Sequence, residues 1–381
     1  MSKSNETTPN VPTLRFPNYS GEWQVSSMGK VCTFRKGYGI SKENLSSDGT
    51  PCVLYGELYT TYKTAIAKRI KSKTSLDPTT LFHSKKNDVI IPCSGETAED
   101  IATSVCIPYD DILLGGDLTV IRGDLDGAFL SNQINSVRKY DIARIAQGKS
   151  IVHLQADELK KISIAYPTIE EQQKISGFID KIDERIEVQN KIISKYETLI
   201  KGLSYYIIKK FNGKEYKLGT LAEIYQPQTI TKTDLPDNGK YPVYGANGII
   251  GYYNRFNHKE SQIMITCRGS TCGTVNLSTP YSWITGNSMV INIDEHKSTV
   301  DKKYLYYYLK TQSFNDLISG SGQPQIVRKP LVNLNVFLPE ISQQIKLGEI
   351  IDIFEKTLKN EKEMLSALQK QKAFLLQSMF I

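Results

Sequence analysis

The feature that most constrains the fold of this chain is a long helical pattern that occurs twice. Apolar residues recur at alternating steps of four and three, which is the heptad spacing of a coiled-coil seam. The first seam consists of Ile175, Ile179, Ile182, Ile186, Gln189, Ile193, Tyr196, Ile200, Leu203 and Ile207. The second seam consists of Leu347, Ile351, Phe354, Leu358, Glu361, Leu365, Leu368, Lys372, Leu375 and Met379. The pattern predicts two long helices of one design.

The two helices also begin in the same way, with a proline followed by a pair of polar residues. Proline is tolerated at a helix start because the first amides have no acceptor inside the helix. The two motifs are Pro167 with Glu171, Gln172 and Ile175, and Pro339 with Gln343, Gln344 and Leu347. The repeat therefore includes the start of each helix.

A block of mixed pattern precedes each helix, with short apolar and alternating runs between turn signals. The two blocks are similar only in places: Asp88 to Gly95 matches Gln262 to Gly269, and Tyr55-Gly56 matches Tyr244-Gly245. This faint likeness indicates a shared α/β scaffold that carries different loops.

Length and repeat together predict the domain organisation. A chain of 381 residues can form two domains of ordinary size. Compact domains often have their termini close together, so the second block should return the chain near the end of the first helix. We predict an α+β fold with two pseudo-symmetric α/β domains, separated by two long helices that form an antiparallel coiled coil. The predicted parts are a flexible tail at 1–14, a first block at 15–166, a first helix at 167–211, a second block at 212–338 and a second helix at 339–381.

Composition narrows the class of protein. The chain is 40% hydrophobic and 23% charged, which is typical of a folded globular protein. The sequence has no apolar run long enough to cross a bilayer and no apolar signal near its start, so we expect a cytoplasmic protein. None of the six cysteines forms a Cys-x-x-Cys pair, so we expect reduced thiols and no metal site. The net charge of +7 favours a polyanionic partner.

The order of block, helix, block and helix resembles the specificity subunits of type I restriction-modification systems. The resemblance runs from about Arg15 to Ile381. Its most specific motifs are Pro167 with Glu171, Gln172 and Ile175, then Gly245-Ala-Asn247-Gly248 with Gly251 and Tyr252, and Gly320-Ser-Gly322-Gln323 with Gln325 and Ile326. The second helix departs mildly from the pattern, with Gln343 and Leu347 at the positions of Glu171 and Ile175.

This resemblance implies that each block is a target recognition domain for double-stranded DNA. It implies a complex with two methyltransferase subunits and with restriction subunits that translocate DNA. S-adenosylmethionine, ATP and magnesium would belong to those partners, and this chain would hold no cofactor. One half-site would be recognised by each block, with the helices setting the spacer between them, and the partners would then methylate adenine or restrict the DNA.

Motifs for chemistry are missing from the sequence itself. An adenine methyltransferase needs an Asn-Pro-Pro-aromatic or Asp-Pro-Pro-aromatic segment, and an ATP-driven translocase needs the phosphate-binding motif Gly-x-x-x-x-Gly-Lys followed by Ser or Thr. Neither is present, and the four histidines have no partner at catalytic or ligand spacing. We therefore expect no catalytic residue and no bound metal in this chain.

The DNA-contacting residues are predicted from loop chemistry. Arg and Lys pair with guanine, Asn and Gln pair with adenine, and Ser, Thr and Tyr add contacts to bases or phosphates. The candidates in the first block are Arg35, Lys36, Tyr38, Lys149, Ser150 and His153. Those in the second block are Gln226, Gln228, Lys232, Tyr244, Asn247, Arg268, Ser270, Gln323, Gln325, Arg328 and Lys329. For each of them the alternative interpretation is an ordinary solvated loop residue.

Two other classes of protein compete with this interpretation. A coiled-coil scaffold without a nucleic-acid role would explain the heptads, but not the paired blocks with unlike loops. A fused restriction and methylation enzyme would explain the resemblance, but not the missing catalytic motifs. Copurification with a methyltransferase and a test of DNA binding separate the three.

Overall fold

A computed structural model describes residues 10–148, 151–210, 213–246, 248–320 and 323–381, with the backbone alone at 207–210 and 232. The chain divides into two compact units. The first unit comprises Met1–Asn190 together with Met364–Ile381, and the second comprises Lys191–Glu363. In the described part of the chain no helix is both long and apolar enough to span a lipid bilayer.

The first unit contains short strands, short helices and the first part of a long helix. Its strands are β1 (Gln24–Ser27), β2 (Cys32–Lys36), β3 (Leu45–Ser46), β4 (Thr50–Val53), β5 (Ser72–Thr74), β6 (Asp88–Pro92), β7 (Ser94–Gly95), β8 (Val105–Ile107), β9 (Leu113–Leu114), β10 (Leu118–Gly123), β11 (Val152–His153) and β12 (Ser163–Tyr166). Its helices are α1 (Met28–Val31), α2 (Glu57–Thr60), α3 (Ala98–Ile101), α4 (Gly127–Asn135), α5 (Lys139–Ile145), α6 (Ala156–Leu159) and the start of α7 (Ile169–Lys210).

The main sheet of the first unit has the order β2-β10-β6-β8 and is antiparallel throughout. All five residues of its central strand β6 are buried, because alternate side chains of a run such as Val89-Ile90-Ile91 point to opposite faces. Val89 and Ile91 pack in a cluster with Met28 and Ile134, while Ile90 packs in a separate cluster on the other face. A second sheet, of order β3-β5-β4-β9, accompanies it.

The second unit repeats this design. Its strands are β13 (Lys214–Lys217), β14 (Glu223–Tyr225), β15 (Tyr241–Gly245), β16 (Gly248–Tyr253), β17 (Ile263–Thr266), β18 (Val275–Leu277), β19 (Trp283–Ile284), β20 (Ser288–Asn292), β21 (Ile318–Ser319), β22 (Gln325–Ile326) and β23 (Asn335–Leu338). Its helices are α8 (Leu218–Leu221), the end of α7, α9 (Lys302–Lys310), α10 (Arg328–Val332) and the start of α11 (Ile341–Ser378).

Strand order shows that the two units share one topology. The main sheet of the second unit is β14-β20-β17-β18, the same succession as β2-β10-β6-β8 in the first. β15 pairs in parallel with β19, as β4 does with β9. The first and last strands of each block also pair with each other, β13 with β23 and β1 with β12. The predicted fold class, with two pseudo-symmetric α/β domains, is confirmed.

The two long helices pack antiparallel within each unit. In the first unit Ile175 and Ile179 of α7 share a buried cluster with Leu375 and Met379 of α11. In the second unit the Tyr196 ring lies 6.0 Å from the Phe354 ring, measured between centroids. There Lys362 Nζ of α11 also lies 2.7 Å from Glu197 Oε1 of α7. The heptad seams therefore form the predicted coiled-coil contacts.

A buried ion pair ties the start of the first block to α7. Arg15 donates from Nε to Glu171 Oε1 at 2.7 Å and from Nη2 to Glu171 Oε2 at 2.8 Å. The Glu171 side chain is only 1% exposed, and Arg15 also donates to the carbonyls of Ser20 and Gly21. In α11 the corresponding Gln343 is exposed, which explains why a neutral residue is tolerated there.

We predict that Arg15→Met destabilises the first unit. Removing the guanidinium leaves the Glu171 carboxylate buried without a cationic partner, which costs about 3–5 kcal/mol. Trp23 lies in the first unit and Trp283 in the second, so Trp23 fluorescence in a Trp283→Phe background reports unfolding of the first unit. The control is Glu170→Gln at the exposed neighbouring position, which should change the free energy of unfolding by less than about 0.5 kcal/mol. Equal effects of the two substitutions would contradict the assigned role of the pair.

Candidate nucleic-acid interface

The candidate interface of each unit is built around a cysteine at the end of the central strand. Cys93 follows β6 and Cys267 follows β17, as the sequence repeat predicts. The amide of Leu154 donates to the Cys93 carbonyl at 2.8 Å, and the amide of Ile326 donates to the Cys267 carbonyl at 3.0 Å. The same backbone hydrogen bond thus brings a distant loop to the same place in each unit.

A second matched bond fixes each cysteine from the other side. The Cys93 amide donates to the Asp117 carbonyl at 2.7 Å, and the Cys267 amide donates to the Asn287 carbonyl at 2.9 Å. Because these are backbone bonds, the framework does not depend on the side chains that the loops carry. Different side chains can therefore occupy equivalent positions.

In the second unit three predicted residues meet at Cys267. Arg268 and Gln325 face each other in an antiparallel bridge, and both are exposed. Gln226 donates from Nε2 to Cys267 Sγ at 3.1 Å and to the Gly286 carbonyl at 3.0 Å. The structure therefore joins three loops that are far apart in sequence, and it leaves Arg268 and Gln325 accessible while the Gln226 amide holds the loops together.

The hairpin between β15 and β16 adjoins this cluster. Thr266, the last residue of β17, donates from Oγ1 to the Ala246 carbonyl at 2.6 Å. Tyr244 does not extend to the surface, because its ring packs in a buried cluster with Met264 and Ile284. The structure thus makes Tyr244 a packing residue, and Asn247 lies outside the described residues.

The remaining candidates of the second block lie close in sequence to Gln226, Arg268 or Gln325. Arg328 begins α10, and its Nε donates to the Ile224 carbonyl at 2.6 Å although the residue as a whole is exposed. The other exposed candidates are Gln226, Gln228, Ser270, Gln323 and Lys329. Lys232 begins the 3-10 turn Lys232–Asp234, and its side chain lies outside the described part.

The first unit shows the same arrangement with different side chains. Lys36, at the end of β2, lies opposite Thr119, whose Oγ1 is 3.1 Å from Cys93 Sγ. His153 pairs with Ser94 on β7, directly after Cys93. Lys36 and His153 are both exposed and approach Cys93 from two different strands.

Two further candidates of the first block are described, and two are not. Arg35 is exposed and lies opposite Val120 of β10. Tyr38 is 52% exposed and stands edge-on to the Phe82 ring, with 6.3 Å between the ring centroids. Lys149 and Ser150 lie outside the described residues.

The repeat places one further residue, Ser94, beside the central cysteine of the first unit, and the sequence analysis did not name it. Ser94 occupies the position of Arg268, since each follows its cysteine and each pairs with the incoming loop. Aligning Pro-Cys-Ser-Gly with Thr-Cys-Arg-Gly could have revealed it. Ser94 is buried, so it belongs to the framework more than to the exposed surface.

Burial keeps the thiols of Cys93 and Cys267 in their neutral form. Burial raises the pKa of the Cys93 thiol, against the opposing effects of a hydrogen bond with Thr119 and of the Lys36 charge. Burial also raises the pKa of the Cys267 thiol, against the Gln226 hydrogen bond. Both thiols therefore stay protonated at neutral pH. All six cysteines have free thiols, and no metal-ligand cluster occurs among the residues that the structure describes.

Comparison with known families explains this repeated design. The sequence profile described as "Type I restriction modification DNA specificity domain" matches residues 20–198 and again 212–370. The chain belongs to this family. The two matches coincide with the two repeats, each with its block and the beginning of its long helix.

Two type I specificity subunits of other organisms are similar to this chain in sequence. The specificity subunit of the type I restriction enzyme EcoprrI of Escherichia coli is 27% identical over 152 residues, which cover 39% of this chain and 37% of that protein. A putative type I specificity subunit of Mycoplasma pneumoniae, S.MpnORF638P, is 23% identical over 97% of this chain and 99% of its own length.

A solved structure shows the same fold. The crystal structure of the S subunit of a type I restriction-modification system from M. genitalium matches with a TM-score of 0.72 at 19% identity. The match covers 97% of this chain and 99% of that one. The fold of both repeats is therefore shared with that protein.

We predict that Gly269→Ala destabilises the second unit, because Gly269 adopts a φ of +89° beside Arg268. A Cβ there has free space, so the cost comes from backbone conformation alone and is about 1–2 kcal/mol. Unfolding is followed by the fluorescence of Trp283 in a Trp23→Phe background.

The matched control is Gly177→Ala in α7, where a Cβ also meets nothing. Alanine in a helix interior is favoured over glycine, so the control should stabilise the first unit by up to about 1 kcal/mol. Because Gly177 lies in the first unit, its unfolding is followed by Trp23 fluorescence in the Trp283→Phe background. Stabilisation by both substitutions would contradict a left-handed backbone at Gly269.

Proposed function

We propose that this chain is the DNA-recognising subunit of a type I restriction-modification complex and that it binds a bipartite double-stranded target. The observation that carries the proposal is the repeated framework around Cys93 and Cys267, whose exposed loop residues differ between the units. Two copies of one scaffold with unlike side chains suit two half-sites of unlike sequence. The long helices set the spacer between the half-sites.

The chemistry of the exposed loops suits base recognition in the second unit. An arginine can donate two hydrogen bonds to guanine, and a glutamine can donate to and accept from adenine. Arg268 and Gln325 are exposed and adjacent, so together they can contact neighbouring base pairs. Arg328 and Lys329 carry charge at the start of α10, where contact with phosphate would position the unit on the duplex.

In the first unit, Arg35, Lys36 and His153 supply the corresponding exposed groups. Lysine and arginine bind either guanine or phosphate, and a histidine ring can donate or accept a hydrogen bond according to its tautomer. The first half-site should therefore differ in sequence from the second.

The chemical steps belong to partner subunits in this proposal. Two methyltransferase subunits with S-adenosylmethionine would methylate adenine, and restriction subunits with ATP and magnesium would translocate and cut the DNA. This chain contributes no catalytic residue and holds no cofactor. It works in the cytoplasm, where its DNA and its partners meet.

A methyl-transfer assay tests whether catalysis belongs to the partner subunits. We expect no transfer of labelled methyl groups to DNA by the purified chain, and transfer to specific adenines once the methyltransferase subunits are added. Sequencing the methylated adenines in a host that expresses the complex then gives both half-sites and the spacer. Methyl transfer by the chain alone would overturn the proposal, and so would a complex that methylates without sequence preference.

Alanine substitutions locate the recognition surface. Arg268→Ala and Gln325→Ala should each remove about 1–3 kcal/mol of discrimination at one position of the second half-site, because each loses a paired contact to a base. Recognition of the first half-site in the same complex is the internal control and should not change. Binding is measured on sites that are mutated in one half at a time.

Lys329→Ala is the comparison for a phosphate contact. It should weaken binding to all sequences alike and lower the slope of log affinity against log salt by about one unit. If all three variants leave affinity and sequence preference unchanged, the surface around Cys267 does not face DNA.

A further inference from the structure

A buried glutamine stands at the start of each long helix and joins three segments of its unit. Gln172 of α7 is 2% exposed. Its Nε2 donates to the Pro167 carbonyl at 2.8 Å, and its Oε1 accepts from the Asp126 amide at 2.9 Å. Asp126 in turn caps α4, because its carboxylate accepts from the Phe129 amide at 2.8 Å. One side chain thus connects α7, the end of the first block and the cap of α4.

Gln344 repeats these contacts in the second unit. It is 1% exposed, its Nε2 donates to the Pro339 carbonyl at 2.8 Å, and its Oε1 accepts from the Asp301 amide at 2.9 Å. Asp301 caps α9 through a bond from the Tyr304 amide at 2.8 Å. The same three elements of structure are joined in both units, although the surrounding side chains differ.

Only an uncharged amide can make both contacts at this position. The carbonyl of the proline needs a donor and the amide of the aspartate needs an acceptor, and a glutamine side chain offers both on neighbouring atoms. A glutamate would set an oxygen against the proline carbonyl, and an apolar side chain would leave two buried backbone groups unpaired. The contacts thus explain why this glutamine recurs after each proline.

The neighbouring glutamines show that the role belongs to one position. Gln173 and Gln343 are exposed, whereas Gln172 and Gln344 are buried. Apolar packing also holds α7 to the first block, since Ile175 and Ile179 share a cluster with Trp23 and Phe129. The glutamine is therefore needed less for attachment than for the angle at which the helix leaves the block.

We propose that Gln172 and Gln344 are positioning residues that fix the orientation of each recognition block on its long helix, and that they thereby restrict the spacer length that the protein accepts. The inference rests on the proposed bipartite recognition. One added base pair moves a half-site by about 3.4 Å and turns it by roughly 35° around the duplex axis. A rigid junction cannot follow that displacement, whereas a loosened junction can.

The test uses the full chain in complex with its methyltransferase subunits. The variants are Gln172→Met and Gln344→Met, which keep similar volume and remove the side-chain hydrogen bonds of the amide. The matched controls are Gln173→Met and Gln343→Met at the exposed neighbours. Binding is measured on a panel of duplexes with both half-sites intact and the spacer one base pair shorter, correct or one longer. A second panel keeps the spacer and mutates each half-site.

We expect affinity for the correct spacer to fall roughly tenfold in the buried variants, a loss in the range of unpaired buried polar groups. The preference over spacers of one base pair more or less should shrink to within about threefold, while half-site preference stays as in the unsubstituted complex. The exposed variants should match the unsubstituted complex on both panels. Should Gln172→Met not fold, Gln344→Met tests the same contacts independently in the second unit.

Two results would overturn the inference. The first is a buried variant with reduced affinity but undiminished spacer selectivity, which would assign the glutamines a purely structural role. The second is equal behaviour of buried and exposed variants. Failure of the proposed function is distinguishable, because the unsubstituted complex would then bind without any dependence on spacer or half-site.

Discussion

Burial of one strand on both faces is the constraint on which each unit depends. In β6 and in β17 alternate side chains enter separate apolar clusters, so each strand must be covered on two sides. In the second unit Ile263 and Ile265 face the cluster that contains α9, while Met264 faces Tyr244 of β15. Because both faces must be covered, a helix packs on one side of the main sheet and a small sheet packs on the other. This packing fixes the position of the end of the central strand.

That fixed strand end explains how one scaffold carries different surfaces. Cys93 and Cys267 are each held by backbone bonds from both sides, and backbone bonds are indifferent to side-chain identity. Arg268 and Gln325 project from this frame in one unit, and His153 does so in the other. Exchanging exposed side chains costs the fold little, since surface substitutions seldom change stability by more than about 0.5 kcal/mol. The framework and the recognition surface are thus energetically separate.

The long helices depend on a different kind of contact. Their apolar seams repeat at heptad spacing, and the buried Ile175 and Ile179 stand at predicted seam positions. The junction of α7 with the first block also contains polar contacts, through Gln172 and through the Arg15–Glu171 pair. Apolar packing is non-directional, whereas a buried hydrogen bond with both partners fixed tolerates little rotation. A junction that combines apolar packing with buried hydrogen bonds is therefore stable and fixes the orientation of the helix.

Much of the local chemistry was predictable, and the misplacements have physical causes. Ile175 and Ile179 were expected in the seam of the first helix, and both are buried. Tyr244 was placed among the DNA contacts because it lies in a loop-like stretch, but its ring fills the space between the main sheet and the small one. Gln226 is exposed, and its side chain also holds two loops at Cys267. Both assignments depend on neighbours that are distant in the chain.

By itself the sequence determined the two long helices, the repeat and the division into two α/β blocks. These follow from periodicity and from local turn and proline signals, which act over a few residues. Only the tertiary structure decided which loop residues meet and what the repeated glutamine contacts. Arg268 meets Gln325, and Gln172 meets Asp126, through bonds between segments that are far apart in the chain. No local pattern encodes such a pairing, because it forms only once both sheet faces are covered and the strand ends are in place.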